Sequence, residues 1–247
     1  MLISGWEFPV SMTGSMDRGQ RVDLTLRMPG LLDSKETNRL MLIVSSFFEL
    51  AGLGAFCGNR LKPEDCQMSA AWNGCPNMVP GVMHWRLDSL SMDFKAWSVL
   101  FNMIQATEIP VDLIEINSKG PDHLGTLSPD SRCLRHEAIQ ERQLEKSVWR
   151  SIELQLTAGL GADFIESLAD TLVSWALICG LGGFPLSQAE LPHLVYPTLP
   201  EVDGNSIRFT VEERNLHPSA YAVLDNLVSC LRARRLPISE YDIRAVN

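Results

Sequence analysis

The pattern of apolar and polar positions predicts the same order of elements twice along the chain. Apolar and polar residues alternate over residues 22–26 and again over 152–156, which is typical of a strand with one buried face. A long apolar helical segment follows each strand, over residues 34–51 and 163–179. The first helix has Asp33 or Ser34 as its predicted N-cap. The chain is therefore interpreted as an internal repeat.

The two predicted helices end in nearly the same phrase. The phrases are Gly52-Leu53-Gly54-Ala55-Phe56 and Gly180-Leu181-Gly182-Gly183-Phe184. Glycine supplies the left-handed backbone that closes a helix, and the following apolar residue packs back onto the last turn. A phosphate-binding loop has its glycines between a strand and a helix, so the position of these glycines favours helix C-caps.

The later part of each half continues the correspondence. A strand, a helix and a proline-led strand are predicted in each half, pairing 84–88 with 207–211, 96–103 with 220–227, and 110–116 with 237–243. One further strand is expected in each half, between the first helix and the strand predicted at 84–88 or 207–211. It is expected at His193–Tyr196 in the second half and within residues 67–72 in the first. The resulting order in each half is βαββαβ.

This order predicts an α+β fold built as a tandem duplication of ferredoxin-like (βαββαβ) units, each with an antiparallel sheet and both helices packed on one face. The units are expected at residues 15–118 and 148–247. Residues 119–147 are interpreted as a linker, in which the polar stretch 132–146 could form a helix. Residues 1–14 are expected to add a strand or a cap.

Charge narrows the class of function. The 247 residues carry a net charge of −9 and give a pI near 5.0, which argues against direct nucleic-acid binding. The longest uncharged stretch typical of a membrane segment is residues 171–184, shorter than the roughly 20 residues that span a bilayer. No basic leader is recognised after Met1. We therefore expect a cytoplasmic protein without a membrane partner.

Metal binding and catalysis are not predicted. Cys57, Cys66, Cys75 and His84 are spaced nine residues apart, whereas structural zinc sites use ligands paired two to four residues apart. The five histidines form no metal-ligand motif, and the chain has no nucleophile elbow. The expectation is therefore no catalytic residue, no cofactor and no metal.

Acidic and aromatic residues in the longer connections are the predicted partner-binding residues. Long loops carry function more often than cores do. The segment 57–81 and its counterpart in the second half contribute most of the set, and a pair of adjacent carboxylates on a predicted strand completes it. The predicted residues are Glu64, Asp65, Trp72, Glu201, Asp203, Glu212 and Glu213.

Two repeated phrases carry a family resemblance. They are the strand–helix–Gly-Leu-Gly-x-Phe phrase and the Ala-(Trp/Tyr)-x-Val-Leu-x-Asn phrase of residues 96–102 and 220–226. With the acidic charge, the chain resembles bacterial immunity proteins of contact-dependent and type VI secretion systems, specifically those paired with restriction-endonuclease-like nuclease toxins. The resemblance implies an antitoxin that binds a cognate toxin protein, a nuclease effector, and blocks its active site or assembly. Acidic surfaces would speed that association. The resemblance assigns no functional residue.

Two other classes of function stay open at this point. One is a small-molecule-binding enzyme with a cleft between the two units, lined by residues such as His84 and Asp88. The other is a regulatory or scaffold domain that oligomerises through open sheet edges.

Overall fold

The computed structural model describes most of the chain. The described residues are 2–3, 5–14, 20–57, 76–90, 92–118, 147–157, 159–184, 193–196, 198–214, 216–234 and 238–246. Within them the fold is mixed α+β, with four α-helices and two mainly antiparallel sheets. The predicted strand within 67–72 and the predicted helix within 132–146 lie outside the described residues.

The first half of the chain forms a six-stranded sheet and two helices. Its elements are β1 (Leu2–Ile3), β2 (Val10–Thr13), β3 (Gln20–Arg27), α1 (Ser34–Gly52), β4 (Asn77–Val79), β5 (Val82–Leu90), α2 (Trp97–Gln105) and β6 (Leu113–Ser118). The strand order is β1-β2-β6-β3-β5-β4, and only β2 and β6 are parallel among these described neighbours. The expectation of an added N-terminal strand is confirmed by β1 and β2.

The second half forms a five-stranded sheet and the other two helices. Its elements are β7 (Val148–Leu156), α3 (Ala162–Gly180), β8 (His193–Val195), β9 (Glu201–Asp203), β10 (Ser206–Arg214), α4 (Ser219–Ala233) and β11 (Ile238–Val246). The strand order is β11-β7-β10-β8, and β9 pairs with the other end of β10. The strand predicted at His193–Tyr196 is confirmed as β8.

Local sequence sets the helix ends as predicted. α1 begins with a capping box, in which the backbone N–H of Glu36 donates to Asp33 Oδ1 at 2.7 Å and the Asp33 N–H donates to Glu36 Oε2 at 3.0 Å. α1 and α3 are both followed by a glycine in the left-handed region, Gly54 at φ 84° and Gly182 at φ 83°. The glycine phrases therefore act as helix C-caps.

The same glycine phrases also join the two halves. The Asn102 side chain on α2 donates to the Gly183 carbonyl at 3.3 Å, and the Cys230 thiol on α4 contacts the Gly54 carbonyl at 3.4 Å. A Cβ added to Gly183 would lie 2.9 Å from Val99 of α2. Each turn is thus packed against a helix from the opposite half, and glycine leaves room for that approach.

One hydrophobic core contains residues from both halves of the chain. α1 packs against α3, and Glu49 of α1 accepts hydrogen bonds from Thr171 at 3.1 Å and Ser174 at 2.6 Å on α3. The core includes Phe47 and Trp97 of the first half together with Trp175, Phe184 and Phe209 of the second. Apolar strand faces meet this helical layer, so each sheet turns its other face outward.

Candidate functional site

Alternation along β10 separates its buried face from its outer face. Ile207, Phe209 and Val211 are fully buried, whereas Arg208 is exposed and Thr210 and Glu212 are half-buried. Successive side chains of a strand point to opposite faces. Residues paired across strands share a face, so the register identifies the outer side chains of the neighbouring strands.

We name the outer side of the second sheet the acidic sheet face. Its residues come from β11, β7, β10, β9 and β8. They are Glu240, Asp242, Arg244, Val246, Trp149, Ser151, Glu153, Gln155, Ser206, Arg208, Thr210, Glu212, Arg214, Glu201, Asp203 and Val195. The set contains six carboxylates and three arginines, which gives this face a net charge of −3.

Ion pairs order the middle of the acidic sheet face. Glu153 accepts from Arg208 at 3.2 Å and from Arg244 at 2.9 Å, and Arg244 also contacts Asp242 at 2.9 Å. Arg208 and Arg244 therefore offset the charges of Glu153 and Asp242 at the centre of the acidic sheet face. The carboxylates of Glu201 and Asp203 lie on the exposed edge strand β9.

The outer face of the first sheet is different. Among its described side chains, Asp23 and Glu115 are balanced by Arg27 and Arg86. Arg27 pairs with Glu115 at 2.6 Å, and Arg86 pairs with Asp23 at 3.2 Å. His84 lies beside Asp23 at 3.6 Å. The excess of negative charge is therefore a property of the second sheet.

An exposed apolar row crosses one end of the acidic sheet face. Trp149 on β7 lies between Val246 on β11 and Glu212 on β10, and Glu212 is paired in turn with Val195 on β8. Trp149 and Val195 are 39% exposed and Val246 is 45% exposed. Tryptophan in such a setting is the residue type that most often anchors a protein interface.

A buried ion triad lies beneath this row. Glu213, only 1% exposed, accepts from Arg150 Nε at 2.7 Å and from the Tyr221 hydroxyl at 2.5 Å. The Arg150 guanidinium also stacks over the Tyr221 ring at 5.4 Å. Because Arg150 and Glu213 directly follow Trp149 and Glu212, the triad holds the strand ends that carry the apolar row.

Burial and the neighbouring charges shift the pKa values of Arg150, Tyr221 and a nearby cysteine. Burial opposes the charge of Arg150, but the hydrogen bond and charge of Glu213 outweigh it and raise the pKa of the guanidinium. Burial, with the Glu213 carboxylate, raises the pKa of the Tyr221 phenol well above its usual range. Burial also raises the pKa of the nearby Cys179 thiol, so this cysteine is held as an unreactive thiol.

The structure gathers three of the seven predicted partner residues. Glu201, Asp203 and Glu212 all lie on the acidic sheet face. Glu213 points to the opposite side, because neighbouring strand residues alternate, and its buried carboxylate is occupied by the triad. We therefore correct its assignment to a structural position. The other three predicted residues, Glu64, Asp65 and Trp72, lie outside the described residues.

Sequence reasoning did not select Trp149 or Glu153 as functional residues. Glu153 lies within the strand predicted at 152–156, and Trp149 lies in the part of β7 that precedes it. A single residue on a strand carries no local signal for binding. Their membership in the face follows from pairing with Glu212 and Arg208, more than 50 positions away. Only the register of four strands brings them together.

Other parts of the molecule offer weaker sites. A shallow groove of roughly 230 Å³ lies beside the β4–β5 hairpin, and its lining from Met28 to Met83 has no ionisable side chain. Across the described ranges, no three His, Cys, Asp or Glu side chains are placed to hold a metal ion. The described helices are each too short or too polar to cross a membrane.

Comparisons with known proteins assign no family. No family model, no curated protein and no solved structure matched the chain. The acidic sheet face, with its apolar row and the ion triad beneath it, is therefore the candidate functional site.

Proposed function

We propose that this chain is an immunity protein, an antitoxin that binds and neutralises a cognate secreted toxin through the acidic sheet face. The observation that carries the proposal is the net charge of −3 on one outer sheet face, whereas the described outer side chains of the other sheet are balanced in charge. The toxin is proposed to be a nuclease effector, as the sequence resemblance implies.

Charge is the first argument for a nuclease partner. A nuclease contacts the phosphate backbone through lysine and arginine, so its substrate-binding surface is basic. A surface with clustered carboxylates is complementary to it, attracts it over a Debye length and excludes acidic competitors. Glu201, Asp203 and Glu212 would contribute by this route, mainly to the rate of association.

The apolar row is the second argument. Interface energy concentrates in a few buried anchors, most often Trp, Tyr and Arg, surrounded by polar contacts that exclude water. Trp149, which lies beside Val246 and in the same row as Val195, supplies such an anchor at the border of the charged region. We propose that Trp149 limits dissociation of the complex while the carboxylates accelerate its formation.

The proposed activity needs no metal, cofactor or catalytic residue in this chain, and we propose a cytoplasmic location, where a producing cell would need protection.

We also propose that the halves 15–118 and 148–247 are ferredoxin-like units in tandem. The strand orders β6-β3-β5-β4 and β11-β7-β10-β8, with antiparallel neighbours in both, support this interpretation.

A co-expression assay tests the function. The chain and the protein encoded by the adjacent open reading frame, as the candidate toxin, are produced together in a bacterial host, and survival and complex formation are measured. The triple variant Glu201→Lys, Asp203→Lys, Glu212→Lys is expected to lose protection and to slow association at least tenfold. The matched control reverses three other exposed acids, Asp112, Glu166 and Asp170, and is expected to protect like the parent.

Two results separate the parts of the proposal. Equal protection by the triple variant and the control would refute the use of the acidic sheet face. Failure of the parent chain to bind or protect against the toxin would refute the immunity function itself. A complex whose association rate ignores ionic strength would refute the electrostatic argument.

A further inference from the structure

The edge strand β11 carries an observation that the proposed function does not use. β11 pairs with β7 along one side over eight register positions. The described part of the chain places no strand on its other side. In an antiparallel sheet every second residue of an edge strand directs its N–H and C=O outward, where a further strand can bind.

β11 has few of the features that usually protect an edge. Natural edge strands tend to be short, or carry lysine, proline or a central bulge. β11 is nine residues long and contains no lysine or proline. Its irregularity lies at its start, between Ile238 and Glu240, which leaves a regular stretch from Glu240 to Val246.

The charges of this stretch are complementary to themselves. In an antiparallel pair of two β11 strands centred on Ile243, Asp242 of each copy lies opposite Arg244 of the other. Opposite charges in directly facing positions stabilise a strand pair, and like charges oppose it. Moving the centre by one residue to Asp242 would place the two Asp242 side chains opposite each other. The charge pattern therefore selects the register centred on Ile243.

The groups required for this pairing are accessible. The side chains of Asp242 and Arg244 are 57% and 60% exposed, although they contact each other and Arg244 also contacts Glu153. On the other face Tyr241 is held by α4, where its hydroxyl donates to Asp225 at 3.0 Å. That contact fixes the strand from the helical side, and no described strand pairs with its outer edge.

We propose that β11 pairs with β11 of a second copy of this chain, forming an antiparallel two-fold dimer centred on Ile243. The contact is isologous, so it closes after two copies and does not propagate into a fibre. The two sheets become continuous, and the acidic sheet faces of both copies lie side by side. This inference is independent of the toxin and of the immunity function.

Mass measurement with a charge swap tests the dimer. Analytical ultracentrifugation of the parent chain, up to about 100 μM, is expected to give a species of twice 27.5 kDa. Asp242→Arg alone and Arg244→Asp alone place like charges opposite each other, and each is expected to raise the dissociation constant at least tenfold. The double variant restores opposite charges and is expected to dimerise like the parent.

Cysteine cross-linking tests the register separately. Ile243→Cys places two thiols opposite each other and is expected to form an intermolecular disulfide under mild oxidation, at pair distances that suit this bond. The matched control Ala245→Cys separates its two copies by about 13 Å, at 3.3 Å per residue, and is expected not to cross-link. Parent protein under the same oxidation controls for its native cysteines.

Two results would overturn the dimer, and a third would overturn its register. A monomeric parent at every concentration, or single variants that dimerise like the parent, would overturn the proposal. Cross-linking through position 245 in preference to 243 would overturn the register. Circular dichroism of each variant tests whether the fold is retained. The substitutions at the exposed positions Asp242 and Arg244 are expected to retain it.

Discussion

Replacement of Glu213 by alanine tests the buried ion triad. The change removes the acceptor of two hydrogen bonds, from Arg150 at 2.7 Å and from the Tyr221 hydroxyl at 2.5 Å. Arg150 keeps its charge because a guanidinium stays protonated in proteins, and no other described carboxylate contacts it. The Tyr221 hydroxyl stays buried. Both groups therefore lose their partner without regaining full hydration.

The expected loss of stability can be estimated from these contacts. Removal of one partner of a buried ion pair costs about 3–5 kcal/mol. The side chain of Arg150 is 29% exposed, so water can partly reach the guanidinium and the lower half of that range applies. The unpaired tyrosine hydroxyl adds about 1 kcal/mol. We expect Glu213→Ala to lower the free energy of unfolding by about 4 kcal/mol.

The assay is urea unfolding followed by circular dichroism. Tyr221→Phe, which removes one donor and keeps the ion pair, is expected to cost about 1 kcal/mol. Glu212→Ala is the matched control, because the neighbouring carboxylate lies on the outer face, and a change within about 0.5 kcal/mol is expected. A Glu213→Ala variant as stable as this control would refute the reasoning.

Two further predictions concern packing and pH. Gly183→Ala is expected to cost about 1–3 kcal/mol, because the added Cβ would lie 2.8 Å from Ile178 and 2.9 Å from Val99. Gly30→Ala is the control, because a Cβ added there meets no atom within 4 Å, and both variants are compared by thermal unfolding. Burial raises the pKa of Tyr221 and Tyr241, so their contribution to stability is complete below pH 10 and is lost as pH rises further. Between pH 9 and 11 the parent is expected to lose stability more steeply than the double phenylalanine variant, and equal slopes in denaturant titrations would contradict this.

Much of the fold follows from local sequence. The alternation at 152–156 predicts β7, and the polar–apolar period at 34–51 predicts α1, because burial of one face is a local property of strands and helices. The glycines at 54 and 182 predict the helix ends, because few other residues adopt a left-handed backbone. The sequence pattern does not predict strand β4 at 77–79, since short edge strands have little periodicity.

The candidate site depended much more on tertiary structure. The adjacent carboxylates Glu212 and Glu213 look alike in sequence, yet one is at the surface and the other is buried. The difference is decided by Arg150 on the neighbouring strand, 63 residues away, and by Tyr221 on the following helix, which together make burial of a charge tolerable.

The sequence by itself determined the helices and the longer strands beside them, the glycine helix ends and the negative charge of the chain. Tertiary structure decided where that charge collects. The register between β11, β7, β10 and β9 assembles residues from distant segments into one acidic face beside Trp149, while the first sheet neutralises its own acids. The physical reason is that alternation fixes which residues share a face within a strand, whereas only long-range hydrogen bonding fixes which strands share a sheet.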